Sequence, residues 1–430
     1  MTESQLLANF QRLHPEIKRR FPQLEQDAFG RKRIHMNCGA GTLMVDTAIE
    51  AQSAAGLKLN SLPGDVTPAE QATRDLHARV RQTAADFLNA GSPDEISFHT
   101  SSTAALFNLA FGLRSVLTPS SNVIVTDLDH MANVSPWETV WGEQAGCEVR
   151  RCGTDDRGII DAERLLSLCD ERTGLAALTL ASNAFGTIVP VKSLAAAVRR
   201  KSPRCLIVVD AVHHALHGSI DVRDMDCDFL VFSGYKVFGP MMGVLWGKRP
   251  LLDRLKPYRV QTNKDVPPYK FEQGTLNNSA LASLLAALEY LAWVGERVGP
   301  IEPATGTDAR RLFVAAMSAV SLYDRELSVK VLQGFRRLDA GKFRCYGHTD
   351  PERSAERDPT FALDIAGLAP EDIKRRLWTG HALQIADGSH YSAAVVRHLG
   401  RPSIARVSLC HYHAPQDVQD LLDALGGLTA

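Results

Sequence analysis

Lys236 and Asp210 are the two side chains of this 430-residue chain whose types and setting carry the most chemistry. Asp210 closes the apolar run LIVVD, and Lys236 follows the apolar run DFLVFS after Gly234 and Tyr235. An amine and a carboxylate at the carboxyl ends of two strands can share one pocket. Pyridoxal phosphate requires such a pair. Its aldehyde forms an imine with the amine, and the carboxylate keeps its pyridine nitrogen protonated, so that the ring accepts electrons. Glycine just before the lysine lets the backbone crowd a ligand.

Alternating strand-like and helix-like segments must position this pair. The strands are EISF (Glu95–Phe98), NVIVTD (Asn122–Asp127), CEVRRC, LAALTLA (Leu175–Ala181), CLIVVDA (Cys205–Ala211), DFLVFS and MGVLWG. Helices are predicted at about Thr103–Arg114, Pro136–Gln144 and Val191–Lys201. Continuously apolar strands with helices between them predict a mostly parallel sheet covered on both faces. Ligands of such sheets bind beyond the carboxyl ends of the strands, where His130, Asn183, Asp210 and Lys236 all fall. After Ser279 the pattern changes. ALASLLAALEYLAWV and about Asp308–Tyr323 read as helices, followed by the shorter strands VKVLQGF, FRCYGH, PTFALDI, ALQIAD and ARVSLC. The polar stretch His348–Pro359 reads as a surface loop. The expected organisation is an N-terminal helical segment (1–30), a large domain (31–299) and a smaller C-terminal α/β domain (300–430).

Composition narrows the partners. Hydrophobic residues make up 45% and charged residues 23%, as in ordinary globular proteins. The net charge is −1 with no basic block, so neither nucleic acid nor an anionic membrane surface is an expected partner. No signal-like apolar core opens the sequence and no run has the length of a membrane span. The eight cysteines form no C-x-x-C, so no metal site is expected. Cys205 and Cys227, beside apolar strands, read as buried thiols, and a cytoplasmic location is expected.

Five motifs, in order, resemble the class V aminotransferase group, specifically its cysteine desulfurase-like, fold-type I pyridoxal phosphate enzymes. They are DLDHMANVSPW, ASNAFGTIVPV, VVDAVHHALHGSIDVRDMDCDFLVFSGYKVFGP, FEQGTLN and ARVSLCHYHAPQDVQDLL, within about Met36–Leu425. The resemblance implies a large domain with a mostly parallel seven-stranded sheet and a smaller C-terminal domain. It implies Lys236 as the imine-forming lysine and proton carrier, Asp210 as the partner of the ring nitrogen, and His130 as the imidazole stacked on the ring. Asn183 falls near the cofactor's phenolic oxygen, and His213 stands where desulfurases usually carry a Gln facing that oxygen. His214 and His217 read as structural or surface residues. Ser102, Thr103 and Ala104, at a helix start, match the phosphate cradle with Ser233 and Tyr235. Thr275 matches a residue reaching the phosphate of the partner subunit, which implies a homodimer with shared active sites. Arg406 matches the fork that grips a substrate carboxylate, with Asn37 and Tyr391 among the residues expected near the substrate.

The chain departs from the desulfurase pattern where the sulfur-accepting cysteine belongs. The stretch TGHALQIADGSHYSAAV aligns in two registers, placing either Leu383 or Tyr391 at that position. Neither supplies a thiol, so ordinary cysteine desulfuration is not expected. The second register also puts Ala386 in place of a second carboxylate-binding arginine. Losing one such partner forfeits about 1.5–3 kcal/mol, roughly tenfold to a hundredfold in affinity. A bulky substrate can recover that through other contacts. The expected function is therefore α-proton removal and β-elimination from a bulky cysteine S-conjugate, releasing a thiol, pyruvate and ammonia. The same scaffold also supports transamination, decarboxylating deamination or epimerisation of another amino acid.

Overall fold

Among the described residues thirteen strands carry the frame, and the central ones are buried on both faces. The computed structural model describes residues 1–155, 157–299 and 307–430. In chain order the strands are β1 (Ile34–His35), β2 (Ile96–His99), β3 (Asn122–Thr126), β4 (Glu148–Cys152), β5 (Thr173–Thr179), β6 (Leu206–Asp210) and β7 (Phe229–Ser233). There follow β8 (Gly243–Gly247), β9 (Phe343–Cys345), β10 (Thr360–Ile365), β11 (Leu383–Gln384), β12 (Ala386–Gly388) and β13 (Ile404–Ser408).

Seven strands form one sheet in the order β2-β8-β7-β6-β5-β3-β4. Strands β3 to β7 pair in parallel, while β8 runs antiparallel to both β2 and β7. This is the mostly parallel sheet of the expected α/β fold. Every residue of β3, β5, β7 and β8 is buried, which is why these runs lack polar alternation. A second sheet, β12-β13-β10-β9, is antiparallel throughout and lies after residue 300. The expected boundary at 299/300 abuts residues 300–306, which lie outside the described residues.

Gly243 lets the sheet meet the helix Ser102–Gly112. A Cβ on Gly243 would fall 2.3 Å from the Ser101 carbonyl carbon and 2.4 Å from the Ser102 nitrogen. Both are backbone atoms, so no rotamer change relieves the overlap. This close approach sets the helix N-terminus beside Ser233, which pairs with Gly243 across the sheet.

Four expectations are corrected. VKVLQGF is helical, because one helix runs unbroken from Asp308 to Phe335. Leu327, Val331 and Phe335 recur at a spacing of four and are all buried, so the helical face outweighs the β-branched content. ALQIAD divides into β11 and β12, which join different sheets. The segment Trp137–Glu143 is a single π-helical stretch. His348–Pro359 is only partly surface. Arg357 and Asp358 are buried, and Arg357 Nη2 donates to the Phe185 carbonyl at 3.1 Å. Among the described residues, no helix is long and apolar enough to cross a membrane.

Candidate active site

The carboxyl ends of β3, β5, β6 and β7 and the edge of the second sheet enclose a cavity of about 820 Å³. Ten of the residues singled out in the sequence line it: Ser102, Thr103, His130, Asn183, Asp210, His213, Ser233, Tyr235, Lys236 and Arg406. Tyr391 lines it as well.

Lys236 sits on the tight turn after β7 and is 3% exposed. Its Nζ donates to the Gly39 carbonyl. Burial, helped by the Arg406 guanidinium, lowers its pKa to about 7, against the opposing pull of Cys38 and Asp210. Asp210 ends β6 and is also buried. Burial raises its carboxyl to about 6, while the Val212 N–H, at 2.9 Å from Oδ1, and Lys236 act the other way. No salt bridge joins Lys236 to Asp210.

His130 follows β3. Its Nδ1 accepts the Ala132 N–H at 3.0 Å, so in the neutral ring the proton sits on Nε2. Burial and the nearby Lys236 and Arg406 lower its pKa to about 4, which keeps it neutral. His213 leaves β6 two residues beyond Ala211 and is 3% exposed. Both its ring nitrogens are buried with no hydrogen-bond partner in the protein.

At the helix Ser102–Gly112, the Ser102 hydroxyl donates to the Phe232 carbonyl at 2.9 Å and lies 2.7 Å from the Ser233 hydroxyl. Ser233 must then be the donor in that pair. The Ala104 N–H is already given to the Ser101 side chain at 3.1 Å, and Ala104 does not line the cavity. The N–H groups of Ser102 and Thr103 lie in the turn that helix geometry leaves free for an anion.

Arg406 rises from β13 at 2% exposure. Its Nη1 donates to the Asn183 carbonyl at 2.7 Å and its Nη2 to Asn37 Oδ1 at 3.2 Å, while Nε has no partner. Asn37 therefore holds the fork, although it does not itself line the cavity. Gly39 is needed for this fit, since a Cβ there would fall 2.9 Å from Arg406 Cζ.

Asn183 holds a loop. Its amide nitrogen donates to the His390 carbonyl at 2.8 Å, and its amide oxygen accepts the Ser392 hydroxyl at 2.7 Å. Tyr391, between them, takes φ 55° and is 74% exposed. Its carbonyl accepts the Met131 N–H at 2.7 Å, and its ring lies 5.4 Å from that of His130. Leu383, the other candidate for the cysteine position, is fully buried on β11 outside the cavity. Ala386 pairs with Arg406 across the sheet and lines the cavity. None of the eight cysteines lines it. Cys38 and Cys410 face each other at 3.6 Å in the core, with Tyr412 3.1 Å from Cys38. Thr275 is exposed and away from the cavity.

Sequence reasoning missed Asp358 and Asp324. Asp358 lies 3.1 Å from His214 Nδ1, and Asp324 2.7 Å from His217 Nδ1. Both acids come from segments far along the chain, so no local spacing betrays them.

A profile of the aminotransferase class-V family matches residues 38–298. A cysteine desulfurase of Pectobacterium atrosepticum is 31% identical over 374 residues, 84% of this chain and 83% of that one. One of Pectobacterium carotovorum is 28% identical over 432 residues, covering 95% and 96%. Among solved structures, the apo cysteine desulfurase of Thermococcus onnurineus superposes with a TM-score of 0.83 at 22% identity, covering 96% of this chain and 98% of that one. A cysteine desulfurase of Escherichia coli superposes at 0.80 with 23% identity, covering 97% and 99%.

The electrostatics give a direct test in the cofactor-free protein. Acylation of Lys236, followed by peptide mass mapping, is expected to reach half its maximum near pH 7. Arg406→Gln removes a neighbouring positive charge and should move that midpoint up. Asp210→Asn removes a negative one and should move it down. A midpoint at the ordinary lysine value would contradict this site.

Proposed function

The chain belongs to the class V aminotransferase family, whose members depend on pyridoxal phosphate, and on that premise we propose that it is a C–S lyase acting on a bulky cysteine S-conjugate. The residues present fit the cofactor. Asp210 is a buried carboxylate without a cation of its own, Lys236 is an amine poised near neutrality, and His213 offers unpartnered nitrogens. Ser102, Thr103 and Ser233 offer a helix N-terminus and hydroxyls to a phosphate. When bound, the cofactor supplies an electron sink for negative charge at the substrate α-carbon.

The side chains divide the remaining work. Asp210 would face the ring nitrogen and hold a proton there, and His130, flat and neutral, would lie against the ring. Arg406 takes the substrate carboxylate, with Asn37 and the Asn183 carbonyl fixing its fork. Lys236, free as an amine near pH 7, removes the α-proton. Loss of that proton would let the Cβ–S bond break, with the electron pair leaving on the β-thiolate.

The lining of the cavity carries the choice of reaction. The two Pectobacterium relatives are cysteine desulfurases, yet no thiol lines this cavity. The loop that bears Tyr391 leaves the sulfur with no protein acceptor. Ala386 opposite Arg406 leaves one guanidinium for the carboxylate and opens space beside it, which suits a large substituent on sulfur.

We also propose a homodimer in which Thr275 serves the partner's site. Thr275 lies in a segment that exposes Tyr258, Val260, Val266 and Tyr269, and Met241 is exposed as well. Such grouping of large apolar side chains marks association surfaces. Sedimentation is expected at the mass of two chains, and a monomer at micromolar concentration would overturn the shared site.

The reaction is tested on a panel of S-substituted cysteines. Pyruvate and thiol are expected in equal amounts, with larger substituents favoured over free cysteine and no persulfide on the protein. Lys236→Ala should lower turnover by at least about 10²–10⁴-fold. Carbon dioxide, an amino-group transfer to a keto acid, or inversion of the α-carbon in place of pyruvate would assign another reaction to the same site.

A further inference from the structure

A second set of titratable groups stands behind the cavity wall. His213 and His217 leave β6 on one short turn and are 3% and 2% exposed. His217 Nδ1 lies 2.7 Å from Asp324 Oδ2, and Asp324 is carried by the helix Asp308–Phe335. An ionised carboxylate only accepts, so the proton of this bond belongs to His217 Nδ1. The neutral ring then has its lone pair on Nε2. That nitrogen is buried without a partner, as are both nitrogens of His213.

Three orphan nitrogens on two adjacent rings call for a common explanation. The ring centroids are 5.4 Å apart and inclined at 63°. A nitrogen of His213 lies within 4.8 Å of one on His217 with no direct hydrogen bond between the rings, so a link between them would run through one water. The charged and titratable groups around the pair are Lys236, Arg406, His214, Asp358 and His411. Burial, reinforced by Lys236, holds His213 well below the usual imidazole range. It is therefore a neutral ring with one proton to place.

We propose that Asp324 and His217 form a buried relay that fixes this proton on the His213 nitrogen turned toward His217, and so present a lone pair to the cavity. The proposal rests on the reading of His213 as the residue facing the cofactor's phenolic oxygen. His213 then accepts a hydrogen bond from a ligand hydroxyl, where an amide side chain would donate one. A proton passing from ligand to His213 is matched by one passing from its other nitrogen to His217 Nε2. The resulting imidazolium pairs with Asp324, and the ligand oxygen, left anionic, accepts the new His213 N–H. His217 and Asp324 are positioning residues, acting through His213.

Ring-nitrogen NMR of the cofactor-free protein, labelled at histidine, reads the tautomers directly. His217 is expected to be protonated at Nδ1 and unprotonated at Nε2. Asp324→Asn can donate to Nδ1 and should invert His217, and with it His213. In the loaded protein, the pH midpoint of the bound cofactor's visible absorption should move by about one unit or more in Asp324→Asn and return toward the original in Asp324→Glu. His217→Gln, which removes the acceptor at similar size, should shift the same midpoint and serves if Asp324→Asn does not fold. Unchanged tautomers and an unchanged absorption profile in a folded variant would overturn the relay. So would a stoichiometric divalent metal that is lost in His217→Gln, because a cation on His213, His217 and Asp358 would need both lone pairs itself. The tautomer measurement involves neither cofactor nor substrate, so a failure of the relay and a failure of the lyase reading are seen separately.

Discussion

An amine and a carboxylate are buried at the ends of two neighbouring strands without being allowed to pair, and the rest of the site follows from that constraint. Lys236 and Asp210 are 3% and 5% exposed, and burial is the largest influence on both. A buried charge without a partner costs several kcal/mol, about the effective penalty per ion in proteins. Both groups respond by moving toward neutrality, the amine down to about 7 and the carboxyl up to about 6. A salt bridge would remove the strain and with it the reactivity. The Gly39 carbonyl gives the amine a neutral acceptor, which holds its position without neutralising its charge. The cavity is in this sense prepared for a ligand that brings an electrophilic carbon for one group and a basic nitrogen for the other.

The second sheet supplies the other half of the site. Arg406 reaches the cavity from β13, and two backbone or side-chain oxygens hold its fork. The loop 389–392 is tied at several points: Asn183 binds His390 and Ser392, Met131 binds Tyr391, and His390 Nε2 lies 3.1 Å from the Ile404 carbonyl. Such tethers hold Tyr391 in left-handed backbone at the cavity lining. The conformation of this loop is therefore tied to Asn183, whose side chain also lines the cavity.

Much of this was legible in the sequence. Continuous apolar runs mark buried parallel strands, and each central run became a strand of the seven-stranded sheet. Because those strands end at one edge, Asp210, Lys236 and His130 had to come together. What was not legible depends on long-range packing. The β-branched run VKVLQGF suggests a strand, but its buried positions fall at helical spacing once the preceding helix is seen to continue. Asn183 carries no sign that both ends of its amide are taken by a loop two hundred residues later. Asp324 and Asp358 reveal their histidine partners only in three dimensions. The register at 383–391 was open in sequence; the fold places Ala386 opposite Arg406 and buries Leu383 in the core, which long-range pairing alone determines.

Borohydride reduction of the protein loaded with pyridoxal phosphate, followed by peptide mapping, reads which amine holds the cofactor. One stable pyridoxyl adduct per chain is expected, on Lys236. An adduct on another lysine, such as the equally buried Lys270, or no adduct at all, would contradict it.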